Sequence, residues 1–235
     1  MKPFILGCTF ARGGSKGIPR KNIRSLNGKP LIAYAIELGL SIKLIDQFIV
    51  STDDQEIADV ACQYGAGVPF MRPADLAADH SPEMLSWKHA LETFEQQTGE
   101  KVDILVSIPA TSPLRIREDV ERCIQKLLDS DADIVITATS AHRSPYFNMV
   151  TLDAQDSARI VISSDVTVNR RQEAPVVYDV TTVAYAARAE FVLKAKSVFE
   201  GRVKAVVIPQ ERALDIDTPL DFEIAEFLMK RGNTK

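Results

Sequence analysis

Short apolar runs alternate with longer stretches in which apolar residues recur at helical spacing, from one end of the chain to the other. The runs predict strands near residues 3–9, 47–51, 103–108, 133–139 and 203–208, with a short one near 67–70. The helical spacing predicts helices near 30–42, 54–64, 82–97, 116–129 and 217–231. Pro30 falls at the first helical position of one of these, and Asp53-Asp54 ahead of Glu56-Ile57-Ala58 reads as an N-cap with further acid in the first turn. Strands separated by helices imply parallel βαβ units with right-handed crossovers, an α/β fold with helices on both faces of the sheet. Ligands of such sheets bind beyond the carboxyl ends of the strands. The stretch from about 140 to 190 breaks the rhythm with turn signals at Ser144-Pro145, Ser163-Ser164-Asp165 and Ala174-Pro175. It reads as strands and loops inserted into a single domain spanning residues 1–235. An insertion of this length supplies substrate contacts or a dimer arm.

One connection carries most of the chemistry. Between the first strand and the first helix lies Ala11-Arg-Gly-Gly-Ser-Lys-Gly-Ile-Pro-Arg-Lys-Asn22. Glycines let backbone N–H groups turn toward a ligand at close range. Arg12, Lys16, Arg20 and Lys21 crowd four cations into the same loop, a charge pattern that asks for an anion. The loop is neither a Walker A sequence nor G-x-G-x-x-G, since position 15 is serine. It predicts a cradle for a polyanion, most plausibly a nucleoside triphosphate.

Composition narrows the class. With 46% hydrophobic and 26% charged residues the chain has the balance of a globular protein. Its net charge of −4, with both signs mixed along the chain, argues against a nucleic-acid partner, which needs a basic face. No apolar run approaches the roughly 20 residues that span a bilayer, and the N-terminal residues lack the pattern of a signal peptide. A cytoplasmic protein without a membrane partner is expected. Cys8, Cys62 and Cys123 sit among apolar neighbours and read as buried free thiols. His80, His89 and His142 have no metal spacing, and no serine or cysteine has a nucleophile signature.

Three further segments bear on a site. In Leu214-Asp215-Ile216-Asp217-Thr218-Pro219 the two carboxylates at i and i+2 suit Mg²⁺ beside a triphosphate, while Asp217 alone also fits as the cap of the next helix. Pro109-Ala-Thr-Ser-Pro-Leu-Arg115 follows a strand and either places Thr111, Ser112 or Arg115 over a ligand or makes a serine–threonine turn. Arg72 lies in a loop, and Asn169-Arg170-Arg171-Gln172 sets paired cations in the insertion. The parts are those of positioning and charge neutralisation, which phosphoryl and nucleotidyl transfer require.

The order of Ala11–Asn22, Val50-Ser-Thr-Asp53, Arg72-Pro-Ala-Asp-Leu-Ala77, Ala110-Thr-Ser-Pro113, Arg171-Gln172 and Asp215-Ile-Asp-Thr218 resembles that of the acylneuraminate cytidylyltransferases, the CMP-sialic acid synthetases and their bacterial relatives. The resemblance covers almost the whole chain. It implies a three-layer α/β/α fold on a mostly parallel, Rossmann-like nucleotidyltransferase sheet, with a small inserted segment for dimerisation and substrate. It implies CTP and a sugar acid as substrates, Mg²⁺ as cofactor, and a homodimer in which the insertion reaches the neighbour's site.

By position, the resemblance makes Arg12, Lys21, Asp215 and Asp217 the catalytic residues, with Asp215 and Asp217 holding the metal. The nucleotide falls to Gly13, Gly14, Ser15, Lys16, Asn22, Arg72, Ser81 and Glu83 along with Arg12 and Lys21, and the sugar to Thr111, Ser112, Arg171 and Gln172. The departures lie on the sugar side. Pro109 stands where relatives often have glutamine, Phe147 where some have lysine, and Tyr178-Asp179-Val180-Thr181-Thr182 where an Arg-Pro-Asn-Gly-like run is common. Asp179 cannot hold a carboxylate as arginine does. The implied reaction is CTP plus a 2-keto-3-deoxy sugar acid giving CMP-sugar and pyrophosphate, the acceptor a sialic or related nonulosonic acid. A 3-deoxy-manno-octulosonate acceptor or its amino derivative, transfer to a sugar 1-phosphate, and a catalytically silent nucleotide-binding module are the alternatives.

Overall fold

The computed structural model describes residues 2–78, 81–163 and 170–232. The strands are β1 (Ile5–Phe10), β2 (Ser25–Leu26), β3 (Lys29–Pro30), β4 (Gln47–Ser51), β5 (Ile104–Ser107), β6 (Ile134–Ser140), β7 (Val150–Leu152), β8 (Ala158–Ile160), β9 (Tyr178–Arg188) and β10 (Val203–Val207). The helices are α1 (Leu31–Ser41), α2 (Gln55–Gln63), α3 (Glu83–Thr98), α4 (Arg117–Leu128), α5 (Ala189–Lys194) and α6 (Pro219–Gly232). Six strands form one sheet in the order β10-β6-β9-β5-β1-β4. β1 runs parallel to β4 and β5, and β10 parallel to β6, whereas β9 is antiparallel to both neighbours.

The apolar runs become these strands because both faces of the sheet are covered, which removes the need for alternation. On one face α1, α2 and α4 contribute Ile32, Ile36, Ile57 and Ile124 to the core; on the other α3 and α5 contribute Trp87, Leu91, Phe94 and Val192. The result is the three-layer α/β/α arrangement that the alternation predicts. A third, smaller cluster joins Ile18 and Leu31 to Ile216, Phe222 and Ala225. It seats the glycine-rich loop against the far end of the chain.

Local signals account for most helix ends. Asp54 caps α2, accepting from the Ile57 amide at 3.0 Å, and α3 ends on Gly99 in the left-handed region at φ 75°. Pro30 sits one residue outside α1, at its N-cap. Near 67–70 there is no strand, only isolated bridges from Gly67 to Ile49 and Met71 to Thr52. Gly65, Gly67 and Pro69 interrupt the run, and a proline cannot donate to a ladder.

The larger difference concerns residues 178–188, placed in the insertion by the sequence and found as β9 at the heart of the sheet. The insertion therefore ends before Tyr178, and among the described residues it carries the β7–β8 hairpin. Cys8 and Cys123 are buried, with burial pushing the Cys123 thiol up to about 12, but Cys62 is exposed on the outer side of α2. No described helix is long and apolar enough to cross a membrane.

Candidate active site

The loop after β1 is fastened from three sides. Gly13 N donates to Asp53 Oδ1 at 3.0 Å, and Asn22 Nδ2 donates to the Arg12 carbonyl at 2.9 Å. Lys21 Nζ donates to the Ile216 carbonyl at 2.8 Å and to Asp217 Oδ1 at 3.0 Å, joining residues nearly 200 positions apart. Two of the glycines are required by packing. A Cβ on Gly13 would lie 2.6 Å from Asp54 Oδ2, and one on Gly17 would collide with the Asp217 carbonyl, whereas one on Gly14 would meet nothing within 4 Å.

The four cations do not act alike. Arg20 turns away from the loop to α2, where it pairs with Asp54 at 2.5 Å and with Glu56; its backbone is left-handed at φ 56°. Protein carboxylates thus already balance Arg20 and Lys21. Arg12 and Ser15 face a cleft, while Lys16 is exposed and does not line it.

The cleft, about 320 Å³, opens beyond the carboxyl ends of β1 and β4. Its size is at the lower end for small-molecule pockets. Arg12, Lys21 and Asn22 form one wall, Arg72, Ser81 and Glu83 the other, and Thr111 closes the end. Arg72 is buried and lies 3.7 Å from Asp53, so Asp53 links this wall to the Gly13 amide. Burial pulls the Arg72 pKa down and Asp53 pulls it back. Glu83 is raised by burial, against the bond from Trp87 Nε1 at 3.1 Å and the charge of Arg72. Arg72 Nε and Ser81 Oγ are buried without a hydrogen-bond partner among the described residues. Such atoms are costly, and here both are in residues that line a cleft, where a polar ligand would complete them.

At the other end of the loop, Asp215 Oδ1 is also buried and unpartnered. The Asp217 carboxylate is exposed beyond its contact with Lys21. The helix cap that Asp217 was equally suited to make belongs to Thr218 and Asp221: Asp221 Oδ2 accepts from the Thr218 amide at 2.7 Å and its hydroxyl at 2.8 Å. Two carboxylates, one with an orphaned oxygen, fit a hard cation completed by substrate phosphates. No cluster of three or more metal-ligating side chains exists among the described residues.

The segment at 109–115 divides. Thr111 reaches the cleft, but Ser112 is fully buried and its Oγ lies 2.7 Å from Thr182 Oγ1. Ser112 therefore serves the loop and not a ligand. Arg115 also points inward, donating to the Pro109 carbonyl and to Thr182 O at 3.5 Å. Gln172 does not line the cleft; it borders a separate cavity of about 180 Å³ with Arg143 and Ser144. The side chain of Arg171 lies outside the described residues. Asp53 and Thr182 are the additions to the predicted site. Asp53 stands at a strand's carboxyl end and closes the Val50-Ser-Thr-Asp53 motif, but the sequence gives it no role beyond a helix cap.

The chain matches the family model described as Cytidylyltransferase over residues 9–232. It is 37% identical over 227 residues to the CMP-N,N'-diacetyllegionaminic acid synthase of Campylobacter jejuni, with 96% of this chain and 95% of that protein covered. It is 31% identical over 224 residues to a pseudaminic acid cytidylyltransferase of the same species, with 94% of each covered. Among solved structures, a CMP:2-keto-3-deoxy-manno-octonic acid synthetase complexed with CTP superposes with a TM-score of 0.74 at 18% identity, over 97% of this chain and 99% of that one, which shows a shared fold. The chain belongs to the cytidylyltransferase family and is a nucleotidyltransferase.

Proposed function

We propose that this enzyme transfers the cytidylyl group of CTP to a 2-keto-3-deoxy sugar acid of the nonulosonic class, giving CMP-sugar and pyrophosphate. The observation that carries this reading is the Lys21 bridge: a side chain that lines the cleft also bonds the Ile216 carbonyl and Asp217, joining the cationic loop to the Asp215–Asp217 segment. The acceptor class comes from the similarity to synthases of legionaminic and pseudaminic acid. Arg72, Ser81 and Glu83 receive the base, with Arg72 donating and Glu83 accepting. Arg12, Ser15 and the Gly14 amide receive the phosphates, the Gly13 amide being held by Asp53, and Lys21 neutralises charge as it grows on them. Lys16 adds charge at the rim.

The acceptor's anomeric oxygen attacks the α-phosphorus, the bond to the pyrophosphate oxygen breaks, and the hydroxyl proton passes to solvent. Asp215 and Asp217 would hold Mg²⁺, whose chemistry there is to polarise the phosphoryl oxygens and lower the pKa of the attacking hydroxyl. Thr111 borders the acceptor, and Arg171 and Gln172 would reach it only from the insertion of a neighbouring copy. We further read the protein as cytoplasmic and as a homodimer, the dimer on the strength of the exposed apolar residues of the insertion, among them Val150, Leu152 and Val176.

The test is pyrophosphate release from CTP and Mg²⁺ with a panel of sugar acids: nonulosonic acids, 3-deoxy-manno-octulosonate and its amino derivative, and a sugar 1-phosphate as control. Release is expected with a nonulosonic acid. Arg12→Ala should lower kcat/KM by roughly 100-fold or more, with an unchanged thermal midpoint. Near-normal release by that variant, or CTP binding without turnover on any acid, would sink the reading.

A further inference from the structure

The ladder between β6 and β9 slips at one place. Ile136 pairs with Tyr185, but the next residue, Thr137, pairs with Thr181, so residues 182–184 stand out from the strand. The Thr137 hydroxyl fills the gap. It accepts from the Ala184 amide at 3.1 Å and the Thr181 hydroxyl at 2.8 Å, and it donates toward the Thr181 and Ala184 carbonyls at 3.2 and 3.1 Å. All of this is buried, so the bulge is a fixed feature of the sheet. A bulge re-aims side chains, and bulges concentrate beside active sites for that reason.

The side chain re-aimed here is Thr182. Its hydroxyl meets Ser112 Oγ at 2.7 Å and accepts from Thr111 Oγ1 at 3.3 Å, while its carbonyl faces Arg115 at 3.5 Å. The loop it holds is joined at once to the carboxylate pair, because the Thr111 carbonyl accepts from the Ile216 amide at 2.9 Å. Ile216 is fully buried between Asp215 and Asp217, so its position sets theirs. One unbroken series of contacts runs from the sheet bulge through Thr182 and Thr111 to the two aspartates.

We propose that Thr182 is a positioning residue, its hydroxyl seating the Thr111–Ser112 loop and, through the Thr111 carbonyl, fixing the Asp215–Asp217 segment beside Lys21. The geometric part stands by itself; the catalytic consequence rests on the proposed reaction. Thr182→Val keeps the shape and removes the hydroxyl. In native-state hydrogen exchange the Ile216 amide of that variant should exchange about 5- to 10-fold faster, the effect of losing a hydrogen bond. The Asp46 amide, bonded to Ile5 O on the far side of the sheet, should be unchanged. Ser112→Ala removes the same contact from the other side and should act alike, and Thr182→Ser should restore the normal rate.

In turnover, Thr182→Val should lower kcat by a similar factor while KM for CTP stays within about twofold. Unchanged exchange at Ile216, an equal rise at both amides, or failure of serine to rescue would each overturn the proposal. A wild-type enzyme that releases no pyrophosphate would sink the reaction instead, and the exchange comparison would still decide Thr182.

Discussion

Glu83 lines the cleft at the first position of α3, and its one hydrogen-bond donor among the described residues is Trp87 Nε1, with the Arg72 charge nearby. Burial raises its pKa above the ordinary glutamate value of 4.5. The sign of the consequence follows from proton counting. Below pH 4.5 the folded and unfolded chains both hold the proton and the residue contributes nothing. As pH rises the unfolded chain ionises first, so the folded state loses stability until pH passes the raised folded pKa. Glu83→Gln keeps an acceptor for Trp87 and removes the ionisation. Its thermal midpoint at pH 8 should exceed that of the wild type, and the two curves should meet below pH 4.5. The same change should weaken the preference for CTP over UTP, because an amide no longer offers only acceptors to the base amino group. An unchanged midpoint at pH 8, read by calorimetry, would refute the burial argument.

At the level of elements, the N-terminus of α4 is tied to the segment that delivers Asp215. Asp119 is fully buried, accepts from Arg212 Nε and Nη2 at 2.9 Å each, and reaches back to the Ile116 amide at 3.2 Å. Removing one member of such a pair strands a buried charge, which costs about 3–5 kcal/mol. Arg212→Met should therefore lower urea stability by about that amount, and Asp119→Asn in the same chain should recover part of it; a loss below about 1 kcal/mol would show the pair to be well solvated. Neither partner announces the other in the sequence, since they stand 93 positions apart. The parallel strands are legible because their runs are mainly apolar, and α2 because Asp54 caps it. β9 is not legible, for two reasons: Thr181 and Thr182 break its apolar run, and Val183–Ala187 reads as well for helix as for strand. Its antiparallel place between β5 and β6 is a matter of which strands become neighbours, and periodicity carries no information on that.

For the whole molecule, the glycine-rich loop and the aspartate pair are readable as chemistry at opposite ends of the chain, but their meeting is not. It depends on the small core of Ile18, Leu31, Ile216 and Phe222, and on Lys21 spanning to Asp217. Asp53 and Thr182 escape notice for the same reason: their roles exist only once β4 and β9 are laid beside the loops they hold. A comparable gap remains at the insertion, where Val150, Leu152, Val161 and Val176 expose 45–79% of their surface, as do Tyr178 and Val180 at the start of β9. In an otherwise charged, acidic chain, exposed apolar residues of this kind suit a surface that a partner covers. In the proposed homodimer the cover is a second copy. Light scattering should then give twice the 26.0 kDa chain mass, and Leu152→Glu with Val176→Glu should bring it to the single-chain value without unfolding the α/β core. If the arm also completes the neighbour's acceptor site, the separated chain keeps its affinity for CTP and loses turnover. A wild-type monomer at working concentration would leave that surface without the occupant proposed for it, and a monomeric variant with full turnover would confine the arm to assembly.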